Sequence, residues 1–186
     1  MLLTSIWILP KARSFGEEGL LGTAVFLSGF LLTFSTSTMY HSFKDIQLKW
    51  LLRKADHISI YFMIAGSYTP FILIYYNNRP GLTLLSIMWI LALGGTIFKS
   101  FATGKYTKLS TITYIFMGAS ILWVSPDFFP LLPRRVHSLV VIGGLMYLLG
   151  VYFYVKKSYK YHHPIWHLFV LGGAISHWWA VWYALD

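Results

Sequence analysis

Histidines are concentrated near the end of this sequence, in the stretch YKYHHPIWH, which contains His162, His163 and His167. A fourth histidine, His41, lies far earlier, in the stretch STSTMYHSF. Both stretches adjoin long apolar segments, where a polar side chain is costly unless it is paired or functional. Because neutral imidazoles are common ligands of transition metals, these residues are candidates for a metal site.

The spacing of the late histidines favours one pair. His163 and His167 are four residues apart, which places them on one helix face about 6 Å apart. His162 and His167 are five apart and diverge by about 140° around a helix. Three imidazoles with an open fourth position are typical of catalytic zinc, so we predict Zn²⁺ held by His41, His163 and His167. Pro164 disfavours a helical conformation at the preceding residue, so His162 stays open as an alternative to His163.

A carboxylate and a hydroxyl accompany these histidines. Asp56, in ADHISIYF, is the acidic residue that we expect at the same end of a helix, whereas Asp45 lies in a predicted loop. Such a carboxylate can orient a metal-bound water and accept its proton. Ser37 precedes His41 by one helical turn and could donate to a polarised carbonyl oxygen or hold the metal's water. The structural alternatives are a helix-end histidine that meets lipid headgroups and a serine that bonds its own helix.

The composition is that of a membrane protein. Of 186 residues, 56% are hydrophobic and 11% are charged, compared with about 25% charged in soluble domains. The absence of cysteine excludes disulfides, thiolate ligands and a cysteine nucleophile. The net charge of +9 comes from basic residues in short gaps between apolar runs, where they act as topology signals and headgroup contacts. We therefore expect membrane lipids as partners and no binding of nucleic acid.

Six apolar runs are long enough to cross a bilayer, and short connections between them favour a compact antiparallel bundle. They lie at about 20–43, 56–76, 82–101, 109–124, 137–155 and 164–185. The opening stretch, 1–10, is about half the length of a crossing and lacks the basic start of a signal peptide. We predict an all-α polytopic membrane helix bundle of the seven-helix type with the first helix truncated, forming a single integral membrane domain over 1–186.

Basic residues indicate an orientation. Loops on one side of the predicted bundle carry ten Lys and Arg, and those on the other side carry five. The positive-inside rule places the side with ten in the cytoplasm. His41, Asp56 and the late histidines all belong to that side, so we expect the zinc site near the cytoplasmic face.

Three stretches together resemble a known family. They are STSTMYHS, ADHISIYFMIAGSYTPF and YHHPIWHLFVLGGAISHWWAV. They are similar to the hemolysin-III-like membrane proteins, bacterial relatives of the progestin and adipoQ receptor family and, more remotely, of the alkaline ceramidases. The resemblance covers nearly the whole chain from about Leu20. It implies a seven-helix bundle in a bacterial plasma membrane, a zinc ion near the cytoplasmic face, and hydrolysis of lipid amides in distant members. The implied ligands are His41, His163 and His167, with Asp56 and Ser37 beside the bound water.

Two classes of function follow. The first is a zinc-dependent integral membrane hydrolase that acts on an amide or ester of a lipid entering from the bilayer. The second is a non-enzymatic protein that senses a ligand, influences membrane homeostasis or perforates membranes, with zinc as a structural tie between helices. Neither the substrate nor the oligomeric state follows from the sequence.

Overall fold

The fold is described from a computed structural model that covers residues 5–124, 126–156, 158 and 160–186. These residues form α helices and one short 3-10 helix, Pro126–Leu131, and they contain no β strand. The α helices are α1 (Ser5–Ser14), α2 (Gly16–Ser42), α3 (Ile46–Tyr75), α4 (Arg79–Ala102), α5 (Thr107–Ala119), α6 (Ile121–Val124), α7 (Arg134–Val155) and α8 (His162–Ala184). The all-α prediction is thus confirmed. Of the predicted partial helix 1–10, residues 1–4 lie outside the described residues.

The helices belong to two compact units, Met1–Ser125 and Pro126–Asp186. Within the described residues, α2, α3, α4 and α7 are long and apolar enough to cross a membrane. Much of the apolar surface of α4 is exposed on its unit, as at Ile90, Leu93 and Ile97. Large apolar surfaces of this kind indicate contact with lipid or another apolar partner, in keeping with a multi-pass membrane protein.

Glycines bring α2 and α3 of the first unit into close contact. A Cβ atom at Gly22 would lie 2.6 Å from the Cα of Pro70, and one at Gly29 would lie 2.9 Å from the carbonyl oxygen of Phe62. These pairs run in opposite directions along the two helices, so the helices are antiparallel. Small residues are the usual means by which membrane helices approach each other, and these two glycines have that role here.

Hydroxyl groups bridge the same two helices. The Thr33 hydroxyl donates to the Gly29 carbonyl oxygen at 2.9 Å and lies 3.1 Å from the Ser59 carbonyl oxygen of α3. The Thr36 hydroxyl lies 3.3 Å from the Ser59 hydroxyl. Since all three side chains are buried, these hydrogen bonds satisfy polar groups at membrane depth and define the register of α2 on α3.

The start of α3 differs from the prediction. The helix begins at Ile46, ten residues before Asp56, because Asp45 caps it: its Oδ1 accepts a hydrogen bond from the Leu48 amide at 2.8 Å. Asp56 is therefore in the helix interior rather than at its start. The Asp45 side chain satisfies an amide that has no partner within the helix. The helix can therefore begin ten residues before the apolar run.

The predicted helix 109–124 is interrupted at Ser120, between α5 and α6. The Tyr68 hydroxyl of α3 lies 2.9 Å from the Met117 carbonyl oxygen and 2.7 Å from that of Gly118. Ser120 also donates to the Met117 carbonyl oxygen, at 2.8 Å. Carbonyl groups freed at the interruption thus find donors, as the apolar surroundings require.

In the second unit, α7 and α8 form an antiparallel pair. Gly143 of α7 contacts the ring of His177, and Gly173 of α8 contacts the ring of Tyr147. The His177 Nε2 lies 3.3 Å from the Val140 carbonyl oxygen, which can only accept the hydrogen bond. His177 therefore forms a hydrogen bond between α8 and α7.

Candidate metal centre

The first turns of α8 bring two imidazoles together. His163 and His167 lie on one face of the helix, and their Nε2 atoms are 3.2 Å apart. The rings are nearly perpendicular, with centroids separated by 4.7 Å. Pro164 is the third residue of α8, where its missing amide hydrogen removes no helical hydrogen bond. His163 is thus helical despite the proline, and the predicted shared face of His163 and His167 is observed.

Trp166 packs against both rings of this pair. Its ring centroid is 5.1 Å from that of His163 and 4.3 Å from that of His167. Contacts on two sides restrict the rotamers of both imidazoles, which prepares them for ligation. No role for Trp166 is predicted from the sequence, although its position between the two histidines is a signal that could have been used.

The geometry of the pair fits a metal ion. Zinc binds histidine nitrogen at about 2.0 to 2.1 Å, so two ligands of a tetrahedral site are about 3.3 Å apart. The observed separation of 3.2 Å between Nε2 atoms agrees with this value. Without an ion, the same distance allows one ring to donate a hydrogen bond to the other. The two Nε2 atoms can therefore bind either a metal ion or a shared proton.

His162 is placed differently. Its ring centroid is 6.3 Å from that of His163, and its Nδ1 is buried with no hydrogen-bond partner among the described residues. His162 and His163 both belong to α8, but it is His163 that meets His167. The choice of His163 as a ligand stays a prediction, and this arrangement supports it.

In the first unit, His41 and Ser37 occupy the last turns of α2. His41 is exposed and its ring contacts the edge of Tyr40, with centroids 4.8 Å apart. Ser37 is half-buried one turn earlier. The hydroxyls of Thr33, Thr36 and Ser42 each bond a carbonyl of their own helix, whereas no such bond is recorded for Ser37. The structural alternative for Ser37, bonding its own helix, is therefore not observed.

Asp56 is half-buried in the third turn of α3. Its carboxylate interacts with the neighbouring His57, and its backbone carbonyl accepts a hydrogen bond from Ser59 at 2.8 Å. Ser59 also contacts Thr33 and Thr36 of α2, so Asp56 lies near the hydroxyl groups that join α3 to α2. The convergence of His41, Ser37 and Asp56 with the histidine pair of the second unit stays a prediction.

Comparison with known proteins decides the family. Residues 1–178 match the family model described as haemolysin-III related. The chain belongs to this family. This haemolysin-III-related chain is 37% identical over 172 residues to the "Hemolysin-3 homolog" of Bacillus subtilis (strain 168), covering 92% of this chain and 81% of that protein. It is 40% identical over 169 residues to "Hemolysin-3" of Bacillus cereus, with 91% and 77% covered.

The family extends to animals. The haemolysin-III-related chain is 33% identical over 166 residues to the human "Monocyte to macrophage differentiation factor", covering 83% of this chain and 66% of that protein. This match confirms the resemblance to the progestin and adipoQ receptor family. No solved structure matches the haemolysin-III-related chain.

Proposed function

We propose that this protein is a zinc-dependent membrane hydrolase that cleaves an amide or ester bond of a lipid. The observation that carries the proposal is the His163–His167 pair, whose Nε2 separation of 3.2 Å suits two ligands of one tetrahedral ion. A lipid is the substrate class because the helices around the pair belong to a bilayer protein, so an apolar chain can approach from the membrane.

His41 completes the ligand set in this proposal. In the proposed site, His41 joins His163 and His167, and each residue would bind the ion through one ring nitrogen. Three imidazoles leave a fourth tetrahedral position open, which distinguishes a catalytic zinc site from a closed structural one. The absence of cysteine from the whole sequence is consistent with an all-histidine site.

Zinc would supply a Lewis acid that makes water nucleophilic near neutral pH and polarises a carbonyl group. Asp56 accepts the proton of the attacking water and passes it to the leaving group, which is the task of a general base and then a general acid. Ser37 donates its hydroxyl hydrogen to the carbonyl oxygen as negative charge develops there. The Ser37 hydroxyl makes no hydrogen bond to a carbonyl of its own helix, and this supports the role.

The metal site is tested by replacing His167. We expect His167→Ala to weaken zinc binding at least 100-fold, because even the loss of an outer partner of a ligand costs about 10- to 100-fold. The measurement is metal analysis of purified, detergent-solubilised protein after dialysis against a chelator. His137→Ala is the matched control, since His137 lies on α7 beside Phe129 and should leave zinc content unchanged. Full zinc in the His167 variant would refute the assignment.

The hydrolase is tested by replacing Asp56. We expect Asp56→Asn to lower turnover of a lipid amide by about 10²- to 10⁴-fold while zinc content and melting temperature persist. The control is Asp127→Asn, because Asp127 is an exposed carboxylate outside the proposed site. Unchanged turnover in the Asp56 variant would refute its role as the general base, and an absence of turnover in the wild type would leave zinc with a structural role.

The names of the bacterial relatives, which contain the word hemolysin, favour a second candidate, a cytolytic membrane protein. Such a protein would release dye from liposomes in which it is reconstituted, and Asp56→Asn would not affect the release. No predicted crossing carries a polar stripe along its full length, which argues against a pore lined by single helices. Dye release without lipid hydrolysis would decide for this candidate.

A further inference from the structure

A lysine is buried near the end of α4. Lys99 is 1% exposed, and it is the fourth residue from the end of the helix. Its backbone carbonyl accepts a hydrogen bond from the Thr103 hydroxyl. Removing an ammonium group from water is strongly unfavourable unless an anion or hydrogen-bond acceptors replace the water.

Within the described part of the chain, the Lys99 ammonium group has no hydrogen bond and no ion pair, and its nitrogen is not fully shielded from solvent. No hydrogen bond, ion pair or aromatic contact of its ammonium group is recorded, and the charged groups that interact with it are Arg53 and His57 of α3. Both are basic residues. The favourable interaction of a cation with the C-terminal end of a helix is small and does not supply an acceptor for the ammonium hydrogens.

The basic side chains near Lys99 both belong to α3. Arg53 is exposed, and its guanidinium nitrogens Nη1 and Nη2 would each lie 3.7 Å from a Cβ atom at Gly104, in the turn between α4 and α5. His57 lies one turn further along α3, and its Nδ1 is 2.6 Å from the Arg53 carbonyl oxygen, to which it can only donate. The acidic residue recorded near this group is Asp56, which interacts with His57. His57 is half-buried beside Arg53 and Lys99.

We propose that Arg53 and Lys99, with His57 beside them, form a binding site for a phosphate group, carried by an anionic phospholipid or by free phosphate. A phosphate offers several acceptor oxygens and negative charge to the Arg53 and Lys99 cations, which otherwise repel each other. Arg53 contributes a planar pair of donors suited to a phosphate, and Lys99 contributes a compact charge.

The site lies at the depth in the membrane where a lipid headgroup is expected. Lys99 is about 4.5 Å from the last residue of α4 at 1.5 Å per residue, near where the apolar span ends. Basic pockets between membrane helices on the cytoplasmic side are a known way to hold anionic headgroups. The charge count places this end of α3 and α4 in the cytoplasm. The two cations of this site, Arg53 and Lys99, are not among the residues of the proposed zinc site.

The test measures binding of two probes to purified protein in neutral detergent by native mass spectrometry. The probes are short-chain phosphatidylglycerol, with phosphatidylcholine as its neutral comparison, and inorganic phosphate. We expect wild-type protein to prefer phosphatidylglycerol by about fivefold or more, since one basic group near an anionic lipid contributes about that factor. Lys99→Met should abolish the preference while keeping the volume of the side chain. Lys105→Met removes the same charge from an exposed position in the adjoining turn, and this variant should keep the preference for phosphatidylglycerol.

The outcomes separate the two sources of phosphate. Binding of phosphatidylglycerol that requires Lys99 supports a lipid site, and binding of inorganic phosphate alone that requires Lys99 supports a site for free phosphate. If Lys99→Met fails to fold, Arg53→Gln, at an exposed position, replaces it in the same comparison. The proposal would be overturned if the folded variant bound each probe as well as the wild type does.

Discussion

At the residue scale, the geometry of α8 distinguishes two adjacent histidines. We expect His163→Ala to lower zinc affinity as severely as His167→Ala does, because these two rings face each other at 3.2 Å between Nε2 atoms. We expect His162→Ala to change zinc affinity less than about tenfold, the smallest effect typical of an outer partner. Competition for zinc with a chromophoric chelator measures both constants. The reverse order of effects would make His162 the ligand.

Much of this arrangement could be predicted from the residues alone. Helical spacing places His163 and His167 together, and the proline that weakened this prediction is tolerated because it lies in the first turn. Two features depend on more than helical spacing. Trp166 orients the imidazoles through ring contacts that depend on side-chain rotamers, and Lys99 becomes buried through packing against residues distant in sequence.

At the scale of helices, two adjacent glycines of α4 provide a matched pair. A Cβ at Gly95 would overlap the ring of Tyr61, which is buried and packs on Tyr114 at 4.6 Å between centroids, whereas a Cβ at Gly94 would meet nothing within 4 Å. We expect Gly95→Ala to lower the free energy of unfolding by about 1 to 3 kcal/mol, as overpacking does. Gly94→Ala should be neutral or stabilising by up to about 1 kcal/mol. Unfolding in mixed detergent micelles measures both values.

The same comparison is available in the second unit. A Cβ at Gly143 would overlap the His177 ring and lie 3.1 Å from the Gly173 carbonyl oxygen, whereas one at Gly144 would meet nothing within 4 Å. Equal stability of Gly143→Ala and Gly144→Ala would contradict the observed packing of α7 on α8.

Helix boundaries were less predictable than the presence of helices. Apolar runs predict where a chain can cross a bilayer, but a helix ends where its terminal backbone groups find partners. For α3 the signal was present in the sequence, because Asp45 is a favoured cap residue three positions before Leu48. For the interruption at Ser120 it was not, because the Tyr68 hydroxyl that meets the freed carbonyls comes from another helix.

At the scale of the whole molecule, the absence of cysteine permits a direct test of orientation. We expect a cysteine at Lys105 to react with a membrane-impermeant maleimide only after cells are permeabilised, because the loop that contains it lies on the side with ten basic residues. A cysteine at Asn77, between α3 and α4, should react in intact cells. Both positions are exposed, so differences in burial do not confound the comparison. Labelling in the opposite order would invert the orientation and move the proposed zinc site to the outer face.

The hydroxyl bridge from Thr33 and Thr36 to Ser59 has a consequence for biosynthesis. α2 leaves the ribosome before α3, and until α3 arrives the two threonines can bond only to carbonyls of their own helix. α3 then offers hydrogen-bond acceptors that lipid tails lack. Leaving the translocon together as a hairpin is therefore energetically more favourable for α2 and α3 than leaving it one at a time. Replacing Ser59 with alanine removes its side-chain contact with Thr36, and it should therefore delay the pairing of the nascent helices before it alters the finished protein.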